Sequence, residues 1–566
     1  MAYLYKTHSL FFVTSPRTPF KMRPEIDLLV QHFSGKPWNE ETQLAFAKKL
    51  SQAPFFEGGT SLDSAFSARD RINRAPKAFG FVDLSPTVQL TEAGKAFLTS
   101  KRPHEIFTRQ LLKFQLPSPY HIDKDTSRFF VKPYLELLRL IYELDGLSKD
   151  EISIFVLQLT HIHKYEAIKQ KIIQFRDEKK KLDRSKTSYK RFVNEIFEKE
   201  LLEIYAEEVK QKKFKTREST EKSLKNFLST KRRNHKDYTD ASFRYLRATG
   251  LVTLEPKTFK LVIPNEKRNE IEFLLENVKR EPIWFENEQE FKKYLFDSAS
   301  PELLTDNKAE LIKSIKEHEN NEENIASLDI ESLKDIRDKL IEEKMQNTVL
   351  QQVATLKTYK EYPDIVQTFR DIAVRDVVDP SLMFEWNVWR AFTMLNDGKI
   401  HGNFRFDETG MPLSTAPGNM PDIICEYEDF DLLVEVTLST GQKQYEMEGE
   451  PVPRHLGNHK KRTNKDSYCL FIANTLNPAT LAHFFYLHKV PITYYGGTSK
   501  IIPMQLSDVI EMLNCAYRVQ TKPTSATIKA FVQHLSKRAT ELGDENKWYE
   551  EIKQLAKKWT SLDCAN

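Results

Sequence analysis

Two acids frame the stretch PDIICEYEDFDLLVEVT: Asp422 and Glu435 stand at the outer ends of two apolar runs joined by an acidic turn. If that turn lies at Glu428 and Asp429, antiparallel pairing makes the two acids direct cross-strand neighbours on one face, with Cβ atoms about 4.5–5.5 Å apart. Two anions at that spacing repel, and a divalent cation between them would convert the cost into binding. Within LLVEV, Glu435 is the one polar residue, so it is expected inside the domain, where an unpartnered carboxylate is costly. The alternative is a surface hairpin with solvated carboxylates.

Further groups lie nearby in sequence. Glu385 sits in MFEWNVWRAF beside an apolar stripe of Phe384, Val388 and Ala391 on an expected helix, and GQKQYEMEGEPVPRH adds Glu448, Arg454 and His455. Oxygen ligands of this kind suit Mg2+, which keeps several waters, so Asp422 and Glu435 are the expected metal ligands. Such an ion lowers the pKa of a water, polarises a phosphoryl oxygen and neutralises developing charge. Lys443, Arg454, Lys460, Lys461 and Arg462 could meet the phosphates. No GxxxxGK[ST], GxGxxG, HExxH or GxSxG occurs, which leaves nucleotide hydrolysis, zinc proteolysis and serine hydrolysis without their parts. YYGGTSK at 494–500 reads as a tight turn before the strand IIPMQL.

These side chains need a sheet to carry the hairpin and helices to flank it. From about residue 375 strands appear among helices, and 356–566 reads as one α/β domain. The Glu-, Asn- and Lys-rich region 285–355, with KSIKEHENNEENIASLDIESLKDIRDKLIEEKMQ uninterrupted by Pro or Gly, reads as a helical linker. Upstream, SAFSARDRINRAPKAFGFVDLSPTVQLTEAGKAFL (64–98) predicts a helix, a turn at Gly80, two short strands around LSPT and a helix N-capped by Thr91. A helix followed by a small hairpin ends a winged helix-turn-helix. The pattern recurs: GFVDLSPTVQL at Gly80 is echoed by GLVTLEPKTFKL at Gly250, and GLSKDEISIFVLQL supplies a Ser148 cap for the first helix of the second module. The fold expectation is therefore α+β multidomain, with winged-helix DNA-recognition subdomains at 1–135 and 136–284 ahead of the linker and the α/β domain. Helix-hairpin units that serve only packing are the alternative.

Global features agree. The chain has 566 residues, 40% hydrophobic and 29% charged, the balance of a soluble globular protein. No run approaches about 18 apolar residues, and the first twenty residues lack the features of a signal peptide. The four cysteines, Cys425, Cys469, Cys515 and Cys564, include no CxxC pair, which argues against a zinc ribbon or disulfide framework and for a reducing cytoplasm. The net charge of +4 hides an asymmetry: residues 1–280 hold 52 Lys+Arg against 36 Asp+Glu, and 281–566 hold 33 against 45. A basic half suggests a polyanionic partner, here double-stranded DNA. Arg69, Arg71, Arg74 and Lys77 fall on or just after the first recognition helix, and Arg244 and Arg247 at the corresponding places in the second; Arg pairs bidentately with guanine. Lys231, Arg232, Arg233 and Lys236 suit phosphates, and Arg17, Lys21 and Lys113 complete the candidate contacts. Each could instead be a solvated charge.

The order PD, hairpin, acid, V-T resembles the PD-(D/E)xK nucleases. Across SPRTP, AFSARDRINRAPK, RQLLKFQLPSPYH, DYTDASFRYLRATG, FEWNVWRAF, GNMPDI, EVTLSTGQKQYEMEGEPVPRHLG and YYGG before IIP, the chain resembles the AlwI-like type IIS restriction endonucleases, and within them the PleI, MlyI and BstNBI group. The resemblance implies a bacterial, cytoplasmic enzyme that binds a short asymmetric site, GAGTC, and uses Mg2+ to cut at a fixed distance outside it. It implies Asp422 and Glu435 as metal-binding acids and Glu385, Glu448 and His455 as further catalytic positions. It also allows nicking of one strand, with a homodimer or a small second nuclease subunit cutting the other. The usual lysine of E-x-K is Thr437 here, a departure the family shares, which moves the basic role to His455 or to Lys443 and Arg454. A non-catalytic DNA-binding regulator and a structure-specific repair nuclease are the competing readings.

Overall fold

The structure, a computed structural model, describes residues 2–4, 7–56, 64–122, 128–182, 186–216, 218–318, 325–395, 397–416 and 419–561. These fall into two compact units, the first within Met1–Ala53 and Thr60–Ile341, the second within Pro54–Gly59 and Glu342–Asn566.

The first unit contains the two helix-then-hairpin modules. Helix α1 (Met22–Phe33) buries Ile26, Leu29 and Phe33, and α2 (Ser64–Asn73) buries Ala65, Ala68 and Ile72, spacings that put one stripe on the core. After α2 the chain turns at Gly80, whose φ of 74° suits glycine, into β1 (Val82–Asp83) paired antiparallel with β2 (Gln89–Leu90). Thr91 then caps α3 (Glu92–Thr99), its hydroxyl accepting the Gly94 N–H at 2.9 Å. The second module has the same parts. Ser148 and Glu151 form a capping box on α4 (Lys149–Ile154), and the long basic helix α5 (Leu224–Arg247) leads through Gly250 into β3 (Thr253–Leu254), antiparallel to β4 (Leu261–Val262).

The Pro-framed loop SPRTP fastens the modules to each other. Ser15 accepts the Ala75 N–H at 3.1 Å, Pro16 the Tyr245 hydroxyl at 2.9 Å, and Arg17 the Arg244 Nε–H at 2.8 Å, all on backbone carbonyls. Both modules, expected as separate subdomains, thus belong to one unit. The expected linker divides. Helix α6 (Ile330–Lys357) crosses the unit boundary, and its first turns are ion-paired into the first unit. Buried Arg102 binds Glu331, Asp335 and Asp338, while buried Lys334 meets Glu105 at 2.8 Å and Asp306 at 3.1 Å.

The second unit is built on a mixed five-stranded sheet. Its strands are β5 (Lys399–Gly402), β6 (Ile423–Glu426), β7 (Phe430–Thr437), β8 (Asp466–Ala473) and β9 (Ile501–Gln505), in the spatial order β9-β8-β7-β6-β5. β5, β6 and β7 pair antiparallel; β7, β8 and β9 pair parallel. Almost every residue of β7 and β8 is buried, as befits central strands covered on both faces. Helix α7 (Pro380–Leu395), apolar on nearly all sides, is buried from Leu382 onward. Parallel pairing of β7 with β8 demands a crossover. α8 (Gln442–Glu448) and α9 (Pro451–Thr463) supply it, and α10 (Pro478–Leu487) serves β8 and β9. Val452 and Leu456 of α9 join Leu433, Cys469, Phe471 and Phe484 in a core cluster, each such side chain contributing about 1.5–3 kcal/mol by burial. Cys425, Cys469 and Cys515 are free thiols, and Cys564 lies outside the described residues. No helix among the described residues is long and apolar enough to cross a membrane.

Candidate active site

The hairpin β6–β7 has the register the sequence arithmetic requires. Ile423 pairs with Val434, Cys425 with Leu432 and Glu426 with Asp431, and the chain reverses at Glu428 and Asp429. Asp422, one residue before β6, continues that register to Glu435.

Each carboxylate has an N–H to meet, which corrects the picture of a bare repelling pair. Asp422 Oδ2 accepts the Val436 N–H at 2.8 Å, and Glu435 Oε1 lies 2.8 Å from His455 Nδ1. Glu435 is 6% exposed. Both acids bear on one atom of the neighbouring strand: the Cys469 thiol is pushed well up first by burial and then by the charges of Glu435 and Asp422. The register of the hairpin puts the two carboxylates on one face, and carboxylate oxygens are donors of the kind that suits a hard divalent cation.

The other expected members lie on helices of the same unit, and of these His455 meets Glu435. Buried Glu385, on α7, accepts the Ala416 N–H at 3.0 Å. Glu448 is the half-buried last residue of α8, and His455 lies on the first turns of α9. Among the described residues no three His, Cys, Asp or Glu side chains converge as metal ligands, so the metal expectation stands on Asp422 and Glu435. Thr437 is buried and its Oγ1 accepts the Ser439 N–H at 3.1 Å, a turn contact without charge.

The cations expected to meet phosphates separate into two groups. Lys443 is exposed on α8, and Arg454 binds Glu450 at 2.9 Å and Asn419. The other three are engaged elsewhere. Lys460, its pKa lowered by burial, donates to the Thr498 carbonyl at 2.5 Å, Lys461 to that of Tyr494 at 3.4 Å, and Arg462 to His459 at 3.2 Å. The cause is close packing: a Cβ on Gly457 would lie 2.5 Å from the Tyr495 carbonyl oxygen, so this end of α9 rests on the 494–498 turn. The sequence reading missed Asp431 and His459, whose side chains meet at 2.8 Å in the interior. The available signal was the repeated spacing of four, 431 to 435 among the acids and 455 to 459 among the histidines.

In the first unit, Arg17, Arg69, Arg233 and Lys236 are exposed, Arg69 lying over the Phe66 ring at 4.9 Å. Arg71 pairs with fully buried Glu25, whose carboxyl is pushed up to about 7 by burial against the pull of Arg71 and Lys21. Arg74 bonds Asp70 at 2.7 Å and Thr14 at 2.5 Å, and Arg244 holds the SPRTP loop. Lys77, lowered by burial, covers the Tyr120 ring at 4.5 Å. Lys231 lies over Tyr205 at 4.7 Å, and Arg232 bonds Asn194 at 2.8 Å. Two candidates leave the contact set. Lys113 is buried, donates to the Asp297 carbonyl at 2.5 Å and has its pKa brought down to about 8 by burial; Arg247 is buried on α5.

No curated protein matches the chain. Solved structures similar to it include two endonuclease chains. The small subunit R.BspD6I2 of the heterodimeric restriction endonuclease R.BspD6I shows 25% identity and a TM-score of 0.30, over 34% of this chain and 98% of that one. The BpuJ1 endonuclease binding domain, in complex with pyrene- and phenanthrene-modified DNA, shows 13% identity and a TM-score of 0.33, over 51% and 94%. The family model for AlwI restriction endonuclease matches residues 78–512, a span that takes in both hairpins and the paired acids. The chain belongs to the AlwI restriction endonuclease family and is a type II restriction endonuclease, an enzyme that binds and cleaves DNA.

Proposed function

We propose that this enzyme is of type IIS: it binds a short asymmetric site, GAGTC, through its first unit and hydrolyses phosphodiester bonds at a fixed distance outside that site in its second. The observation that carries the reading is Asp422 in register with Glu435 while His455 is fastened to Glu435. The two helix-hairpin modules would act as winged helices, with Arg69, Arg74 and Arg244 near the bases and Arg17, Arg233 and Lys236 on phosphates. The second unit would be a PD-(D/E)xK domain in which Asp422 and Glu435 hold Mg2+. Bound there, the ion would supply charge neutralisation and a more acidic water.

The chain's own residues do the rest. The Val436 N–H orients Asp422. His455 donates its Nδ1–H to Glu435, which puts the basic lone pair on Nε2, the nitrogen able to take a proton from an attacking water. Glu448 and Glu385 would orient that water, and Lys443 and Arg454 would bring the positive charge that Thr437 lacks. A second nuclease centre, from another copy or a small separate subunit in the bacterial cytoplasm, would cut the opposite strand where one centre only nicks.

The test is to incubate the protein with a plasmid library in Mg2+ or in EDTA and map the ends. Ends at one offset from GAGTC, in Mg2+ only, are expected. Scattered ends, or ends at another motif, would overturn the assignment of the site.

A further inference from the structure

Strand β7 and helix α9 meet at two acid–histidine contacts. Glu435 meets His455; four residues back along the strand and four on along the helix, Asp431 Oδ2 meets His459 Nε2 at 2.8 Å. Both partners of the second contact are 2% exposed. Alternation puts residues 431, 433 and 435 on one face of the strand, and a spacing of four puts 455 and 459 on one face of the helix. Leu433 and Leu456 fill the core between the two contacts.

The chemistry of His459 is fixed by its neighbours. Arg462 Nη2 lies 3.2 Å from Nδ1, and a guanidinium can only donate. Nδ1 therefore accepts, and Nε2 carries the proton that it gives to Asp431. Asp431 also faces Lys465 Nζ at 3.4 Å, and the same ammonium donates to the Tyr427 carbonyl at 2.8 Å, at the turn of the hairpin. Every polar atom of this ring is spent inside the protein, so His459 has no free nitrogen for DNA or water.

We propose that the Asp431–His459–Arg462 chain is a positioning device for the cleavage site, fixing the rotation of α9 and thereby the contact of His455 with Glu435. The proposal rests on Glu435 and His455 being part of that site. Packing of Val452, Leu456 and Gly457 holds α9 in place, and the second contact adds to the first a directional restraint on its rotation. Two contacts, about 13 Å apart along the strand and about 6 Å apart along the helix, define its orientation. A displacement of about 1 Å at a reacting centre costs on the order of 100-fold in rate, so small pivots matter. His459 is a positioning residue and touches no substrate.

The experiment is a double-mutant cycle on the full-length protein, using plasmid DNA that the wild type cuts. Single-turnover cleavage in Mg2+, DNA binding in EDTA and amide exchange across residues 451–463 are measured for His459→Leu, His459→Gln, His455→Ala and His455→Ala/His459→Leu. His459→Leu should slow cleavage roughly 10–100-fold, the usual cost of losing such a supporting partner, leave binding in EDTA unchanged and speed exchange in α9. His459→Gln, whose amide can still donate to Asp431, should recover most of the rate and protection. In the His455→Ala background, His459→Leu should add nothing. A wild-type rate for His459→Leu, or losses that multiply in the double variant, overturns the proposal and leaves the site assignment standing. A wild-type rate for His455→Ala overturns the site assignment and this proposal with it. If His459→Leu does not fold, Asp431→Leu, which removes the acceptor of the same contact, carries the same cycle, with the same outcomes deciding.

Discussion

Asp422 accepts the Val436 amide proton at 2.8 Å, so the first acid of the hairpin is fastened to the strand that carries the second. The bond spans fourteen residues and couples the orientation of one carboxylate to the backbone beside the other. Isosteric changes should therefore remove charge without disturbing shape. Asp422→Asn and Glu435→Gln are expected to lower the cleavage rate at least about 100-fold, since a metal site supplies several kcal/mol of transition-state stabilisation. Binding to DNA in EDTA should stay within about two-fold of wild type by gel shift, because the charge removed contributes no attraction to phosphates. Near-normal cleavage by either variant would show that the hairpin is not the catalytic centre.

Much of this site was legible because a hairpin is a local object. The turn at Glu428 and Asp429 and the alternation of DLLVEVT set the register of Asp422 and Glu435, and both are short-range properties of the chain. The Thr91 and Ser148 caps and the two hairpins after Gly80 and Gly250 were legible for the same reason. What escaped depends on distant segments meeting. His459 becomes a partner of Asp431 only once α9 lies back on β7, and Lys113 is hidden against Asp297, far away in sequence. The charged stretch of α6 reads as part of a helical linker in sequence, yet its first turns are spent on ion pairs with Arg102, Glu105 and Asp306.

Those ion pairs make a sharp stability test. Lys334 is buried between Glu105 and Asp306, and removing one partner of such a pair leaves a charge in the interior. Lys334→Met should destabilise the first unit by about 3–5 kcal/mol. Urea denaturation, followed by a probe in that unit, measures it. A loss below about 1 kcal/mol would mean that water reaches the pair and screens it.

Glu25 sets a pH dependence of defined sign. Burial pushes its carboxyl up to about 7 from an ordinary 4.5, against the opposing pull of Arg71. The folded state then holds a proton that the unfolded chain releases above about 4.5. The stability this group contributes is fully present below that value and is lost as pH rises through 7. The shift corresponds to roughly 3 kcal/mol between pH 4 and 8. Glu25→Gln should flatten this part of the stability profile. An unchanged slope between pH 4.5 and 7 in the variant would assign the dependence to other groups.

The positions of the basic residues separate DNA contacts from structural charges. Arg69, Arg233 and Lys236 are exposed on α2 and α5, whereas Lys113 lies in the interior on the Asp297 carbonyl. Each phosphate contact contributes about 0.9 to the slope of log affinity against log salt. Replacing Arg233 and Lys236 by Ala should lower that slope by roughly 1–2 units and weaken binding to site and non-site DNA alike. Lys113→Met should leave the slope unchanged and alter only the melting temperature, because the ammonium it removes never meets solvent-borne phosphates. A salt titration of binding in EDTA for the three proteins decides the matter. If Lys113→Met flattened the slope while the surface pair did not, the DNA-facing surface would lie on the other side of the first unit, and the contacts assigned to α5 would have to be abandoned.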